Sequence, residues 1–284
     1  MPATTPRKPL RRRLRAWRHR RRDLRRIQTA LASTLPIVLV HQMGKVGSRS
    51  VRFVLADMGE FSVFHTHWCN EANLAHRAGI IDERRRISNR YGDRDHFGQL
   101  FHEQTRSLER PLKIVCMFRD PVARNISSYF QHLDEIWGVR KAHAQVSTAE
   151  LIRGFHEVFE HDEPLHWFDT EMKDIHGIDI FAHPFDRHAR HTTIESGRRS
   201  LLLMRVDLSD ADKQSSLSRF LDTKVPEIPR ANAASDKSYS EAYRAFKDAL
   251  ELPEAYFDRL YDSTVTRHFY TADEIAELRA RWRR

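Results

Sequence analysis

The chain has 284 residues and a formal net charge of +9, with 40% hydrophobic and 10% aromatic residues. That apolar content supplies a core and excludes wholesale disorder, and no run of about 18 uncharged apolar residues exists to span a bilayer as a helix. Cys69 and Cys116 are the two cysteines, too few for a disulfide scaffold or a cysteine-based zinc site; they fit a reducing compartment.

The charge is uneven. Residues 1–26 hold twelve Arg and Lys against Asp23 alone, so this tail carries +11 and the remaining 258 residues −2. The pI of 9.8 belongs to the tail. It does not read as a secretion signal, because no apolar stretch with a small-residue cleavage site follows the arginines. Leu10, Leu14, Trp17, Leu24, Ile27 and Leu31 recur at spacings of 3, 4 or 7. This predicts a helix beginning after Pro9, with an apolar stripe interrupted by Arg13, Arg20 and Arg21. Such a helix can remain a solvated arm or lie on an anionic membrane surface. Phosphate contacts to nucleic acid are the least favoured use of this tail.

Leu35 to Val40 is a continuous apolar, β-branched run, as expected of a strand buried on both faces of a parallel sheet. A turn with two glycines follows, from His41 to Ser48. Val51, Val54, Leu55 and Met58 then repeat at helical spacing until Gly59. Phe61 to Phe64 reads as a second strand, which completes the opening of a βαβ unit. Residues 82–110 are charged and read as helical with a loop around Tyr91-Gly92-Asp93. Lys113 to Phe118 is another buried strand, and Pro121 opens a helix whose apolar face is Val122, Ile126, Tyr129, Phe130 and Leu133. Ile178 to Phe181 and Leu201 to Met204 are further strand candidates. The C-terminal third is helical, with a capping box from Thr271 to Glu274. No repeat or linker interrupts it, so residues 1–30 read as a basic arm and 31–284 as one α/β domain.

Two strand-to-helix junctions carry chemistry. The first is Gly44-Lys45-Val46-Gly47-Ser48-Arg49-Ser50. Backbone N–H groups at such a helix start converge on one point, the helix dipole favours an anion there, and Lys45 adds a mobile positive charge. It is not a Walker A loop, since Val46 rather than Ser or Thr follows the lysine. The second runs from Phe118 through Arg119, Asp120 and Pro121 to Ser127 and Tyr129. An arginine fork at the sheet edge and a hydroxyl two helical turns on can grip a second phosphate. Asp120 and Arg124 can instead pair with each other or cap the helix.

Together these segments resemble the 3′-phosphoadenosine-5′-phosphosulfate-dependent sulfotransferases, in which a Lys-x-Gly-Ser/Thr loop binds the 5′-phosphosulfate and an Arg and a Ser eight apart hold the 3′-phosphate. The matching positions are Lys45, Gly47 and Ser48, then Arg119 and Ser127. The chain resembles more closely the bacterial proteins described as capsular polysaccharide synthesis proteins, over nearly all of residues 36–280. The likeness rests on Met43-Gly44-Lys45-Val46-Gly47-Ser48, on Gly177 to Ile180 with Pro184-Phe185-Asp186, and on Arg267-His268-Phe269-Tyr270. An Asn-Lys-Trp-Tyr-Ser signature of that group stands here as Asp236-Lys237-Ser238-Tyr239-Ser240. The resemblance implies a three-layer, P-loop-like α/β domain with a central, mostly parallel sheet flanked by helices. It also implies a nucleotide sulfate donor bound by Gly44 to Ser50, Arg119, Ser127 and Arg267, with no metal.

Sulfuryl transfer to a hydroxyl needs a base, and histidine titrates in the right range. His65 and His67 stand two apart at the end of the second strand, so both can line one cleft. The pair resembles that of the uronyl 2-O-sulfotransferases, where such a histidine is the base. His67 is favoured and His65 left open. No third ligand at recognisable spacing marks them as a metal site. Arg267, by resemblance, closes over the 3′-phosphate, or belongs to an ordinary basic turn. Lys237 and Tyr239 are either substrate contacts or surface.

The expectation is a cytoplasmic enzyme transferring a sulfuryl group to a saccharide or lipid-linked acceptor, with Lys45 catalytic. Its tail would hold it at the inner face of the membrane. The rivals are a P-loop kinase or NTPase, for which Asp207 is a faint magnesium-holding candidate, and a non-catalytic membrane- or polyanion-binding protein acting through the arm.

Overall fold

The structure, a computed structural model, describes residues 10–75, 96–228 and 238–283. Five strands form one sheet in the order β2-β1-β3-β5-β4. They are β1 (Ile37–His41), β2 (Ser62–Thr66), β3 (Leu112–Phe118), β4 (His191–Ser196) and β5 (Arg199–Arg205). The first three and β5 are parallel, with Ile37 opposite Ser62 on one side and Leu112 on the other, and Leu112 opposite Arg199. Helices flank this mostly parallel sheet, so the α/β class expected from the sequence is the one observed.

The apolar runs become the central strands because only there are both faces covered. Every residue of β1 is buried, and Ile114 to Phe118 of β3 are at most 1% exposed. Each such side chain contributes roughly 1.5–3 kcal/mol, which pins the register. The edge strand β4 escapes a hydrophobicity reading because Ile194 is its one fully buried residue. It is held instead by an antiparallel ladder to β5 across a turn at Gly197, φ 60°.

Ile178 to Phe181 is not a strand. Ile178 and Ile180 are each 1% exposed, so the alternation is real. Gly177 is left-handed and the Asp179 carboxylate accepts the Phe181 amide at 3.1 Å, which folds the segment into a 3-10 turn over Ile180–Ala182. Of the charged stretch 82–110, residues 82–95 with the expected loop lie outside the described residues; the rest includes a helix, α3, His96–Thr105.

The N-terminal helix α1 spans Leu10–Ala32. Its last turns join the body: Ile27 is fully buried, Ala30 nearly so, and Arg26 donates to the Val63 carbonyl of β2 at 2.6 Å. Arg110, just before β3, donates to the carbonyls of Ala30 and Ser33. Leu14 and Trp17 are 49% and 56% exposed. The predicted single stripe is therefore two: Leu24, Ile27 and Leu31 pack on the core, and Leu14 and Trp17 face solvent. Among the described residues, no helix is long and apolar enough to cross a membrane.

Candidate functional site

The four parallel strands end at one edge of the sheet, at His41, Thr66, Phe118 and Arg205. From β1 the chain steps to β2 on one side and then to β3 on the other, so the order reverses between β1 and β3. A reversal of this kind opens a crevice at the carboxyl ends of the two strands. The glycine-lysine loop leaves β1 here and Arg119 leaves β3.

The loop enters helix α2 (Ser48–Asp57) through two left-handed residues, Lys45 at φ 73° and Gly47 at φ 83°. Space at Gly47 is tight as well: a Cβ there would stand 3.2 Å from Val206 Cγ2, at a φ few side chains accept. Met43 and Val46 are each 1% exposed and anchor the loop in the core, so Val46 offers a ligand only its backbone. Two arginines hold the loop by its carbonyls. Arg119 donates to Lys45 O at 3.1 Å and Arg124 Nε to Gly44 O at 3.2 Å. With those carbonyls turned to the arginines, α2 begins with no side-chain cap and no acidic residue in its first turn. That is the electrostatic setting of an anion site.

Asp120 and Arg124 do not pair with each other. Asp120 caps the helix α4 (Pro121–Gln131) through Val122 N at 3.0 Å and accepts from Tyr261 Oη at 2.9 Å and Trp282 Nε1 at 3.0 Å. Burial raises its pKa. Arg124, 2% exposed, spends its remaining donors on Asn125 and Glu163. Ser127 lies half-buried two turns into α4.

The histidine pair ends β2 on the other side of β1. The rings meet edge to face, 4.6 Å between centroids. Burial, His67 and Arg52 push the His65 pKa down to about 3. His67 Nδ1 lies 2.7 Å from the Gln42 carbonyl. A carbonyl only accepts, so Nδ1 carries a hydrogen, and in the neutral ring the lone pair is on Nε2. The loop residue before Met43 thus sets the tautomer of the candidate base. Trp167 Nε1 holds the His67 carbonyl at 2.9 Å, and α3 passes so close to the neighbouring Trp68 that a Cβ on Gly98 would fall 1.8 Å from its carbonyl oxygen.

Beneath this edge lies a buried network that no motif announces. His41 Nδ1 is 2.8 Å from His176 Nε2, and His41 Nε2 is 3.3 Å from the Glu171 carboxylate, all three side chains sealed from solvent. Glu171 also accepts from Cys69 N at 2.7 Å and Asn73 Nδ2 at 2.7 Å. His41, Cys69 and Glu171 bring ligand-type atoms within 4.8 Å of one another. With its carboxylate committed to backbone amides, this cluster clamps the β1 and β2 loops together. Burial raises the Cys69 thiol well above its usual pKa. His41 and Cys69 lie 102 or more positions before Glu171 and His176, and only packing unites the two segments.

Arg267 is set apart. It is 62% exposed, pairs with Asp262 at 3.1 Å, and with Arg187, Tyr270, Ile275 and Arg279 lines a surface cavity of about 490 Å³ to which no loop residue contributes. Asp207, the magnesium-holding candidate, is gripped by Arg205 at 3.0 and 2.6 Å. Tyr239 packs on Phe130, 5.6 Å between centroids, as part of the core's rim; Asp236 and Lys237 lie outside the described residues.

The chain matches one family model, described as "Putative capsular polysaccharide synthesis protein", over residues 144–271. The match takes in Gly177 to Asp186 and Arg267 to Tyr270, under half of the chain, and leaves the loop, the histidine pair and the Arg119–Ser127 segment outside it. No curated protein and no solved structure matches.

Proposed function

We propose that the protein transfers a sulfuryl group from 3′-phosphoadenosine 5′-phosphosulfate to a hydroxyl of a glycan or similar acceptor. One juxtaposition carries the reading: a left-handed glycine-lysine loop at the strand-order reversal, bonded through Gln42 to His67, with Nε2 as the basic nitrogen. The matched family's description supports a glycan acceptor.

In this mechanism the acceptor oxygen attacks sulfur and its proton passes to His67 Nε2. The bond between sulfur and the 5′-phosphate oxygen breaks, and 3′-phosphoadenosine 5′-phosphate leaves. Lys45 and the loop amides stabilise the charge that grows on the leaving oxygen. His67 is the favoured base of the pair, because its Nδ1–H is held by the Gln42 carbonyl, whereas His65, with its pKa near 3, binds protons weakly. Arg119 braces the loop through Lys45 O and, with Ser127 on α4, offers donors to the 3′-phosphate. A kinase reading lacks a hydroxyl after Lys45, and its acidic candidate Asp207 is engaged by Arg205.

Lys45→Ala tests the assignment. Transfer from radiolabelled donor onto glycan acceptors is expected to fall about 10²–10³-fold, as for loss of one preorganised donor, while the fold persists. Near-wild-type transfer would sink the reading. A thermal-shift comparison separates the kinase: 3′-phosphoadenosine 5′-phosphate at a hundred times its Kd should stabilise by about 2.7 kcal/mol, and stabilisation by Mg-ATP alone would favour phosphoryl transfer.

A further inference from the structure

The proposed reaction leaves α1 unused, and the structure divides that helix into two halves with different surroundings. From Leu24 onward it is seated on the body through Ile27, Ala30 and the Arg26 bond to β2. Its earlier part, and the outward side of the next turn at Arg25, carry exposed apolar and basic side chains together. At about 100° per residue, Leu14, Trp17, Arg18, Arg21 and Arg25 share an arc of about 100°, and Ile27 and Ala30 lie on the opposite side. Leu14 is 49% and Trp17 56% exposed, Arg18, Arg21 and Arg25 are exposed, and the Arg21 guanidinium sits 5.2 Å over the Trp17 ring.

We propose that this outward face of α1, Leu14-Trp17-Arg18-Arg21-Arg25, docks the protein on an anionic phospholipid surface. The charge decides the class of partner. The first 26 residues carry +11 and the rest of the chain −2, so the net attraction to a negative surface comes from the N-terminal segment to which this face belongs. The exposed indole and leucine distinguish a bilayer from a purely phosphate partner. A tryptophan ring beside arginines suits the headgroup boundary, where its apolar body leaves water, whereas sequence-independent binding to duplex DNA is carried by charge and gains little from an exposed leucine and indole. The structure adds what the arm's sequence lacks: the helix continues without a break into the seated half. A docked arm would therefore hold the body in one orientation rather than on a loose tether.

The test uses the full chain and vesicles of phosphatidylcholine with and without phosphatidylglycerol. Binding is expected only with phosphatidylglycerol and to weaken as salt rises, with a blue shift of tryptophan emission that Trp17→Phe removes. Replacing Arg18, Arg21 and Arg25 together by Gln should lower partitioning about a hundredfold, from about 1 kcal/mol per arginine near the surface. Leu14→Ser with Trp17→Ser should lower it at least about tenfold while the arginines remain. All these side chains are exposed, and circular dichroism with the urea midpoint of the variants checks that the body is intact. Equal binding to uncharged vesicles, no vesicle binding, or vesicle binding indifferent to the Leu14 and Trp17 substitutions overturns the proposal. So does binding to duplex DNA without binding to vesicles. None of these results depends on sulfuryl transfer, so this proposal and that one fail separately.

Discussion

The arginines of the arm and those of the body have the same side chain and opposite employment. In the body they are consumed locally. Arg124 and Arg119 hold loop carbonyls, Arg205 binds Asp207 and Glu274, and Arg279 joins Asp258 to Asp262. Among the described residues, the ion pairs of the outer half of α1 are Asp23 on Arg22 and Glu103 on Arg20, at 3.4 and 3.6 Å. A buried guanidinium is worth keeping only if every donor finds an acceptor, because desolvation is costly. An exposed one costs little and acts at a distance on whatever negative surface approaches. The excess charge of the chain is therefore no guide to its proposed active edge, where arginine serves to shape backbone.

This contrast can be broken by making the same substitution in both regions. Arg124→Met removes the partner of Glu163 and of the Gly44 carbonyl inside the core. It should cost about 3 kcal/mol, the lower end for breaking a buried pair, read as a lower urea midpoint with an unchanged slope. Arg18→Met on the arm should stay within about 0.5 kcal/mol of wild type. Comparable losses at both sites would mean that the arm is as integral as the loop.

Gly98→Ala probes the body side by sterics instead of charge. Its new methyl meets the Trp68 carbonyl, so a loss of about 1–3 kcal/mol is expected. The displaced neighbour of His67 should also reduce turnover more than nucleotide binding. An unaffected variant would show that α3 can retreat and that the histidine segment is not gripped from this side.

The body and the arm should also differ in pH dependence. Burial pushes His65 down to about 3 and His161 to about 4. Unfolded, both return to about 6.5, so between these values the unfolded chain binds more protons and stability rises with pH. Stability is complete above about pH 6.5 and is lost as pH falls towards 4 and then 3. Urea midpoints should therefore drop between about pH 7 and about pH 5, and His161→Asn should flatten part of that slope. A flat profile would mean that these rings are better hydrated than their burial indicates. The arm's arginines, with nothing to titrate in this range, should leave the slope unchanged.

Much was legible before folding. The apolar runs gave β1, β3 and β5, Gly59 and Pro121 marked helix ends, and the Thr271–Glu274 box caps the final helix as expected. Such signals are local, because burial on both faces or a cap at three residues' distance leaves its mark in consecutive positions. Strand β4 was hidden because an edge strand needs no apolar run, and Ile178–Phe181 misled because alternation records burial and not pairing. The arm's stripe misled for a related reason: spacing cannot say how far along a helix the covering surface extends.

The sequence by itself determined the α/β class, the loop that carries Lys45 and the confinement of positive charge to the first 26 residues. Only the tertiary structure decided what holds that loop, which nitrogen of His67 bears the lone pair, and where on α1 the body ends. The physical reason is range. Propensity and charge are properties of neighbouring residues, whereas a carbonyl's partner, a ring's tautomer and a face's cover are set by groups tens of positions away that meet only when the sheet closes.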